Sequence, residues 1–345
     1  MSTSSSKKFK NPRPIYHQTG QKCSISGVGS YVPEKILTNS DLEKIVDTTD
    51  EWILSRTGIS ERRIAADDEY ASDMATVAAK RAMEDAGVTA DDIELIIVAT
   101  ITPDMPFPST ACLVQRNLGA LRAAAFDVEA ACSGFIYALE IGQQFIMSHT
   151  YETVLVIGAE KLSTIVDWTD RNTCVLFGDG AGAAILRSNG GTHGLLTACM
   201  GADGNKSELL SMPGGGSRNP ATIQTVNDRL HFLRMDGREV FKNAVNAMFS
   251  ASRTVLERCE LDISEIKCVI PHQANQRIIS AVGERLGVSS EQLFTNVEKY
   301  GNTSAASVAI ALDEAAKNGN IERSDLILLL VFGAGLTWAA AVIEW

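Results

Sequence analysis

Three short segments of the chain carry the residue types that nucleophilic carbonyl chemistry requires. In Phe126-Asp127-Val128-Glu129-Ala130-Ala131-Cys132-Ser133-Gly134-Phe135 a strand passes through a turn of small residues into a helix that starts at Cys132. A thiol there sits among the unpaired N–H groups of a helix start, at the positive end of its dipole, and that favours thiolate over thiol. Taken alone, Cys132 is one more small buried residue, as free cysteine usually is. The second segment changes the balance, because the apolar run Cys268-Val269-Ile270 delivers Pro271-His272-Gln273-Ala274-Asn275 at its C-terminal end, where α/β sheets place ligands. In the third, Gly301-Asn302-Thr303-Ser304-Ala305-Ala306-Ser307 opens a further helix. Read singly, His272 is a structural histidine and Asn302 a helix cap.

A glycine-rich turn, Phe332-Gly333-Ala334-Gly335-Leu336-Thr337-Trp338, follows an apolar strand and can expose a backbone N–H to an oxyanion. Two other glycine clusters are not ligand loops, the first reading as structural and the second as a mobile loop. Gly178-Asp179-Gly180-Ala181-Gly182 precedes a strand where a dinucleotide fingerprint needs a helix, and Pro213-Gly214-Gly215-Gly216 lacks the Gly-Lys-Ser/Thr of a phosphate loop.

The elements that must position these residues occur twice. An acidic lead and apolar strand at 91–100 return at 262–270, the apolar run 153–158 closed by glycine returns at 326–333, and the short strand 181–186 returns at 338–343. Helical spacing over 72–86 is matched over 240–256. Strands alternating with helices imply α/β layers, here two similar halves joined near residue 190. The expected division is a disordered tail over 1–20, a half carrying Cys132 over 21–190, and a half carrying His272 and Asn302 over 191–345. If a pseudo-two-fold axis relates the halves, the helix starts at Cys132 and Asn302 face each other.

Composition narrows the function classes. With 45% hydrophobic and 21% charged residues, the 345-residue chain is that of an ordinary globular protein. A net charge of −11 argues against general nucleic-acid binding. Seven cysteines without a CxxC pair argue against disulfide or zinc frameworks, so no metal site is expected. No run of about 18 apolar residues suggests a membrane span, and a reducing cytoplasm is the expected compartment.

The Ala-Cys-Ser-Gly-Phe, His-Gln-Ala-Asn and Gly-Asn-Thr-Ser segments together resemble the β-ketoacyl-acyl-carrier-protein synthase III family. Gly29-Ser30-Tyr31-Val32-Pro33, Thr49-Asp50-Glu51-Trp52-Ile53 and Arg56-Thr57-Gly58-Ile59 extend the resemblance from about residue 23 to the end. It implies a thiolase fold, a duplicated five-layer αβαβα sandwich, usually as a homodimer. It also implies a decarboxylative Claisen condensation of acetyl-CoA or another short acyl-CoA with malonyl-acyl-carrier protein, initiating fatty-acid synthesis. Cys132 is then the acyl acceptor, His272 and Asn302 assist decarboxylation, and the N–H groups of Cys132 and Ala334 form the oxyanion hole. No cofactor is implied beyond the thioester substrates. Trp52, Arg56, Arg171, Phe241 and Asn275 match CoA and tunnel contacts, and Phe107 a position reaching into the partner's acyl pocket. Lys242, Arg277 and Arg285 are the expected docking patch for the acidic carrier protein, although Glu284 departs from the basic residue common there. Elongating synthases pair cysteine with two histidines and thiolases use a second C-terminal cysteine, so Asn302 and the cysteine-free 332–338 segment disfavour both. The alternatives are a specialised synthase with another starter in secondary metabolism and a non-catalytic acyl-binding scaffold.

Overall fold

The computed structural model describes residues 22–189 and 194–345; the expected tail over 1–20 and the join near 190 lie outside the described residues. Continuous apolar runs become strands buried on both faces, as parallel-rich sheets between helical layers require. The first sheet has β1 (Lys22–Tyr31), β2 (Leu95–Ala99), β3 (Ala124–Val128), β4 (Thr153–Glu160) and β5 (Gly180–Asn189), in the order β1-β5-β4-β2-β3. The second has β6 (Gly194–Ala202), β7 (Cys268–Pro271), β8 (Leu326–Gly333) and β9 (Thr337–Glu344), in the order β7-β8-β9-β6.

Matching β1 with β6, β2 with β7, β4 with β8 and β5 with β9 superposes the orders and the directions. In both sheets β2 or β7 pairs parallel with its matched neighbour, β4 or β8; β2 is also parallel to β3, and the pairs β1–β5, β5–β4, β8–β9 and β9–β6 are antiparallel. The counterpart of β3 shrinks to a single parallel bridge between Val269 and Leu293. Each acidic lead is one tight 3-10 turn closed by the same reciprocal cap. The backbone N–H of Thr89 donates to Asp92 at 2.7 Å, and that of Asp262 to Glu265 at 2.7 Å.

The helices fill three layers. Short α1 (Asp50–Thr57) packs through a cluster containing Ile53 and Ile279, while α2 (Ala71–Ala86) and α3 (Thr110–Leu118) cover the outer face of the first sheet. Helix α4 (Gly134–Met147) lies between the sheets, and α5 (Gly237–Cys259) and α6 (Gln276–Leu286) cover the second. The last helix, α7 (Ala306–Lys317), joins α4 in the central layer. Alternation along the strands sends Leu95, Ile97, Ile327 and Leu329 inward to this layer, and Ile96, Val98, Leu328 and Leu330 to the outer ones.

The central helices lie close because the facing strands are small at the contact. A Cβ added at Gly158 of β4 would collide with the carbonyl of Ala305, just before α7. Gly158→Ala is therefore expected to destabilise the protein by about 1–3 kcal/mol through overpacking, read as a lowered urea midpoint at fixed protein concentration. Gly204→Ala, where an added Cβ meets nothing within 4 Å, is expected to leave the midpoint within about 0.5 kcal/mol of the parent; equal effects at the two positions would refute the close-approach account.

Candidate active site

Cys132 sits in a single 3-10 turn, Ala131–Ser133, and the α-helix proper starts two residues later at Gly134. The turn is forced sharply, with Ala131 at φ 46°, and it is clamped from the second half. A Cβ at Gly333, at the end of β8, would lie 2.8 Å from the Cys132 nitrogen and 3.1 Å from that of Ser133, so only glycine lets the strand approach. Thr337 adds contacts from its hydroxyl to the carbonyl of Ala130 (3.0 Å) and to Ser133 Oγ (3.1 Å).

The expectation that the helix start holds Cys132 as thiolate needs correction. The sulfur lies too deep for the field of a few N–H groups to dominate. Burial pushes the thiol up to about 12, the Ser304 side chain pulls it down, and the negative charge of Glu160 pushes it up again. The resting residue is a thiol at neutral pH.

His272 directly follows β7 and is buried. Its Nδ1 is 2.6 Å from Ser307 Oγ, in the first turn of α7, and this fixes the ring and leaves Nε2 for the cavity. Burial pulls the imidazole down to about 3, so it is neutral at physiological pH. When the Ser307 hydroxyl donates to Nδ1, Nε2 carries the hydrogen.

Asn302 is fixed from both sides of its peptide: its N–H donates to Leu176 O (2.8 Å), and its carbonyl accepts from Gly178 N (3.0 Å). Its side-chain Oδ1 accepts from the Ser304 N–H at 2.8 Å. With the oxygen thus occupied, the amide NH2 is the end left to serve a ligand.

The three side chains line one cavity of ≈ 450 Å³, together with Arg56, Phe241 and Asn275. Arg56, Leu176, Met235, Gly237 and Asn275 also line an outer opening of ≈ 670 Å³ that contains Trp52. A continuous path thus runs from Trp52 at the surface to Cys132. Arg171 lies over the Trp52 ring at 4.2 Å and Arg56 at 5.9 Å. Asn275 also caps α6, its side chain accepting from Ile278 N at 3.0 Å.

On the other side of Cys132 a largely apolar cavity of ≈ 520 Å³ is lined by Ile101, Leu162, Ile165, Phe177 and Leu233, with Ala334 and Ser304 also in its wall. Phe107 does not line this cavity in its own chain. It stands 83% exposed, one residue from Pro106, which does. Lys242, Arg277 and Arg285 are exposed. Arg277 lines the path to Cys132, whereas Arg285 is turned onto the Phe249 ring at 4.3 Å.

Sequence reasoning passed over several residues that the structure places here. Arg238 lines the inner cavity and Arg234 the outer opening; their signal was the basic spacing of Arg234, Arg238 and Lys242 across the start of α5. Ser304 and Ser307 lay inside a segment already singled out. Glu160 had the clearest signal, a carboxylate ending a run of otherwise apolar strand residues.

The comparisons with known proteins agree with this geometry. The family model for 3-oxoacyl-[acyl-carrier-protein (ACP)] synthase III matches residues 126–204, and the model for its C-terminal part matches 256–345. A β-ketoacyl-[acyl-carrier-protein] synthase III of Caldanaerobacter subterraneus subsp. tengcongensis is 60% identical over 321 residues, covering 93% of this chain and 97% of the relative. Among solved structures, the 3-oxoacyl-[acyl-carrier-protein] synthase III of Aquifex aeolicus VF5 superposes with a TM-score of 0.88 at 51% identity, covering 94% of this chain and 100% of that one. The priming β-ketosynthase of the R1128 polyketide pathway superposes at 0.87 with 36% identity, covering 96% and 98%. Aligned over nearly its whole described length with relatives above half identity, the chain belongs to the 3-oxoacyl-[acyl-carrier-protein] synthase III family of thiolase-fold condensing enzymes.

Proposed function

We propose that the protein condenses a short acyl-CoA, with acetyl-CoA as the leading starter, with malonyl-acyl-carrier protein, the step that initiates fatty-acid synthesis. One observation carries the reading: Cys132 stands where a path from the surface meets an apolar cavity, beside two neutral donors, His272 and Asn302. The sulfur attacks the thioester carbonyl, the carbon–sulfur bond to CoA breaks, and the acyl chain enters the apolar cavity. The N–H groups of Cys132 and Ala334 serve the tetrahedral oxyanion.

Malonyl thioester then occupies the emptied path. Its carbon–carboxylate bond breaks, carbon dioxide leaves, and the electron pair becomes an enolate. His272 Nε2–H and the Asn302 amide hold the enolate oxygen. The carbanion attacks the acyl-Cys132 carbonyl, and the carbon–sulfur bond breaks to give the 3-oxoacyl thioester. A neutral imidazole suits this role, since an imidazolium would be costly in so buried a site.

Trp52, Arg56 and Arg171 serve the nucleotide end of CoA, Arg171 moving off the indole face as a base stacks there. Phe241 and Asn275 line the pantetheine path. A rim of Lys242, Arg277, Arg238 and Arg234 gives this acidic chain a locally basic mouth, suited to phosphates and an acidic carrier protein, with Arg285 at its edge. No helix among the described residues is long and apolar enough to cross a membrane, and the expected setting remains the cytoplasm. A homodimer is supported by the exposed Phe107, Leu121 and Met105, with Phe107 entering the partner's acyl cavity. A longer or branched starter, as in secondary metabolism, is the second reading, because ≈ 520 Å³ exceeds what acetyl fills.

Separate assays of the two half-reactions test these roles. His272→Ala and Asn302→Ala are each expected to keep acyl transfer to Cys132 and to lose decarboxylation by about 100- to 1000-fold, as when a single oxyanion donor is removed. Cys132→Ala is expected to abolish acyl transfer while retaining malonyl decarboxylation. Loss of acyl transfer in His272→Ala as complete as in Cys132→Ala would instead make His272 the base for the thiol.

The neutral state of His272 gives a pH prediction. With its imidazole lowered to about 3, protonation would remove the uncharged donor only below that pH. Decarboxylation by Cys132→Ala is thus expected to be flat from about pH 5 to 9. A break near 6.5, the ordinary histidine value, would contradict it.

Phe107 is tested by chain length. Phe107→Thr is expected to shift preference from two-carbon toward longer acyl-CoA, measured as kcat/KM across a series, and an unchanged preference in a folded variant would count against entry into the partner's cavity.

A further inference from the structure

Arg62, in the short strand Glu61–Ile64, carries a charge that the reaction above does not use, and at 0% exposed it is among the largest side chains that are fully buried. A guanidinium in such a place is costly unless its edges meet acceptors. One edge does so through Nε (3.1 Å) and Nη2, which both donate to the carbonyl of Val175. The other does so through Nη1, which donates to Asn39 Oδ1 at 2.6 Å. Asn39 is itself buried, and its amide NH2 donates to Asp50 Oδ1 (2.7 Å) and to the carbonyl of Ile59 (2.8 Å). The charge of Arg62 is therefore answered one hydrogen bond further on, by the carboxylate of Asp50.

Both ends of this chain of bonds lead to the site. Asp50 is the first residue of α1, the helix that carries Trp52 and Arg56. The far end of α1 is braced separately: Gly58 closes it at φ 72°, and an added Cβ there would lie 2.4 Å from the Cβ of Gln276, next to Asn275. The Asn39–Asp50 bond thus holds the end of the helix that Gly58 does not. In the other direction, Val175 leads into the ribbon 176–178, where Leu176 and Gly178 hold both sides of the Asn302 peptide. The Arg62 stem runs along that ribbon. An added Cβ at Gly178 would lie 3.3 Å from Arg62 Cβ, and one at Gly301 3.2 Å from Arg62 Cγ. Glycine at both positions, beside the bridge between Phe177 and Asn302, gives the stem its room.

Resting on the reading of the site as a condensing one, we propose that Arg62 is a positioning residue for both substrates. Through Asn39 it sets α1 for the nucleotide end of acyl-CoA, and through Val175 it sets the ribbon that presents the Asn302 amide to the malonyl group. The planar fork suits this task, because its edges point in different directions and stay fixed relative to each other, whereas a lysine ammonium is a point donor on a flexible stem. Neither branch touches reacting atoms, so Arg62 acts on placement, and a misplacement of about 1 Å costs on the order of 100-fold in rate. The branches part at the guanidinium, and that separates their readouts. The Asn39 branch bears on acyl-CoA alone, since malonyl-acyl-carrier protein brings no nucleotide to Trp52. The Val175 branch bears on the second half-reaction.

The test combines amide hydrogen exchange of the full chain, read by mass spectrometry, with separate assays of acetyl transfer from acetyl-CoA and of carbon dioxide release from malonyl-acyl-carrier protein. Arg62→Lys is expected to speed exchange about tenfold or more in peptides covering α1 and in those covering 175–178 and 302, with no change over β2. Its KM for acetyl-CoA is expected to rise about tenfold, and its kcat for carbon dioxide release to fall about tenfold or more. Asn39→Ala is expected to speed exchange in α1 alone and to raise the same KM, with carbon dioxide release within about twofold of wild type. Faster exchange in β2 as well, with no division of the half-reactions between the variants, would be a general loss of stability and overturns the proposal. Unchanged exchange and kinetics in a folded Arg62→Lys overturn it too. If Arg62→Lys does not fold, as judged by thermal unfolding, Asn39→Ala decides: faster exchange confined to α1 with a raised KM supports the proposal, and unchanged exchange there overturns it. If the wild type neither accepts acetyl nor releases carbon dioxide, the condensing reading fails instead, and the exchange pattern still decides the placement by Arg62.

Discussion

The closeness of two helix starts between the sheets is the constraint on which the site depends. Helix α4 and helix α7 share the central layer, and small residues let their ends meet: an added Cβ at Gly134, the first residue of α4, would lie 3.6 Å from the Ala305 Cβ, just before α7, and one at Gly158 would collide with the Ala305 carbonyl. That approach brings the turn holding Cys132 beside the segment holding Asn302 and Ser304. Those residues are more than a hundred positions apart in the chain and come from opposite halves. Neither half contains the site alone.

Burial then sets the electrostatics. The low dielectric that raises the Cys132 thiol also lowers the His272 imidazole and raises the Glu160 carboxyl. These shifts have opposite consequences. For His272 burial secures the form the enolate needs, an uncharged N–H donor aimed by Ser307. For Cys132 it opposes the thiolate that the first step needs, and a helix start alone does not offset it. An anion must form in a place that disfavours anions, and hydrogen-bonding neighbours become as important as the nucleophile.

The layered fold was legible because period and polarity are local properties. The runs at 93–98 and 326–332 could only be strands buried on both faces, and the capped acidic leads repeat in sequence as they do in space. The segments bearing Cys132, His272 and Asn302 were legible by residue type, and Trp52 and Arg56 through resemblance. Other features were not, because they are relations across the halves. No local pattern says that Ser307 reaches His272, that the Asn302 oxygen is spent on the Ser304 N–H, or that Gly333 presses on the Cys132 nitrogen. The ionisation of Cys132 was misjudged for the same reason: the helix start is visible in sequence, whereas depth of burial belongs to the assembled molecule.

The parallel bridge between Phe177 and Asn302 gives the two cavities a common wall. Leu176, Phe177 and Gly178 come from the first half, yet the backbone of Leu176 and Gly178 holds both sides of the Asn302 peptide, and Phe177 lines the spaces on both sides of the sulfur. A residue lining the apolar cavity and the residue proposed to offer its amide to the second substrate are thus stitched edge to edge. Reading the first guest and receiving the second become mechanical properties of one short ribbon, and a starter too bulky for Phe177 would strain the hand that is to hold the next.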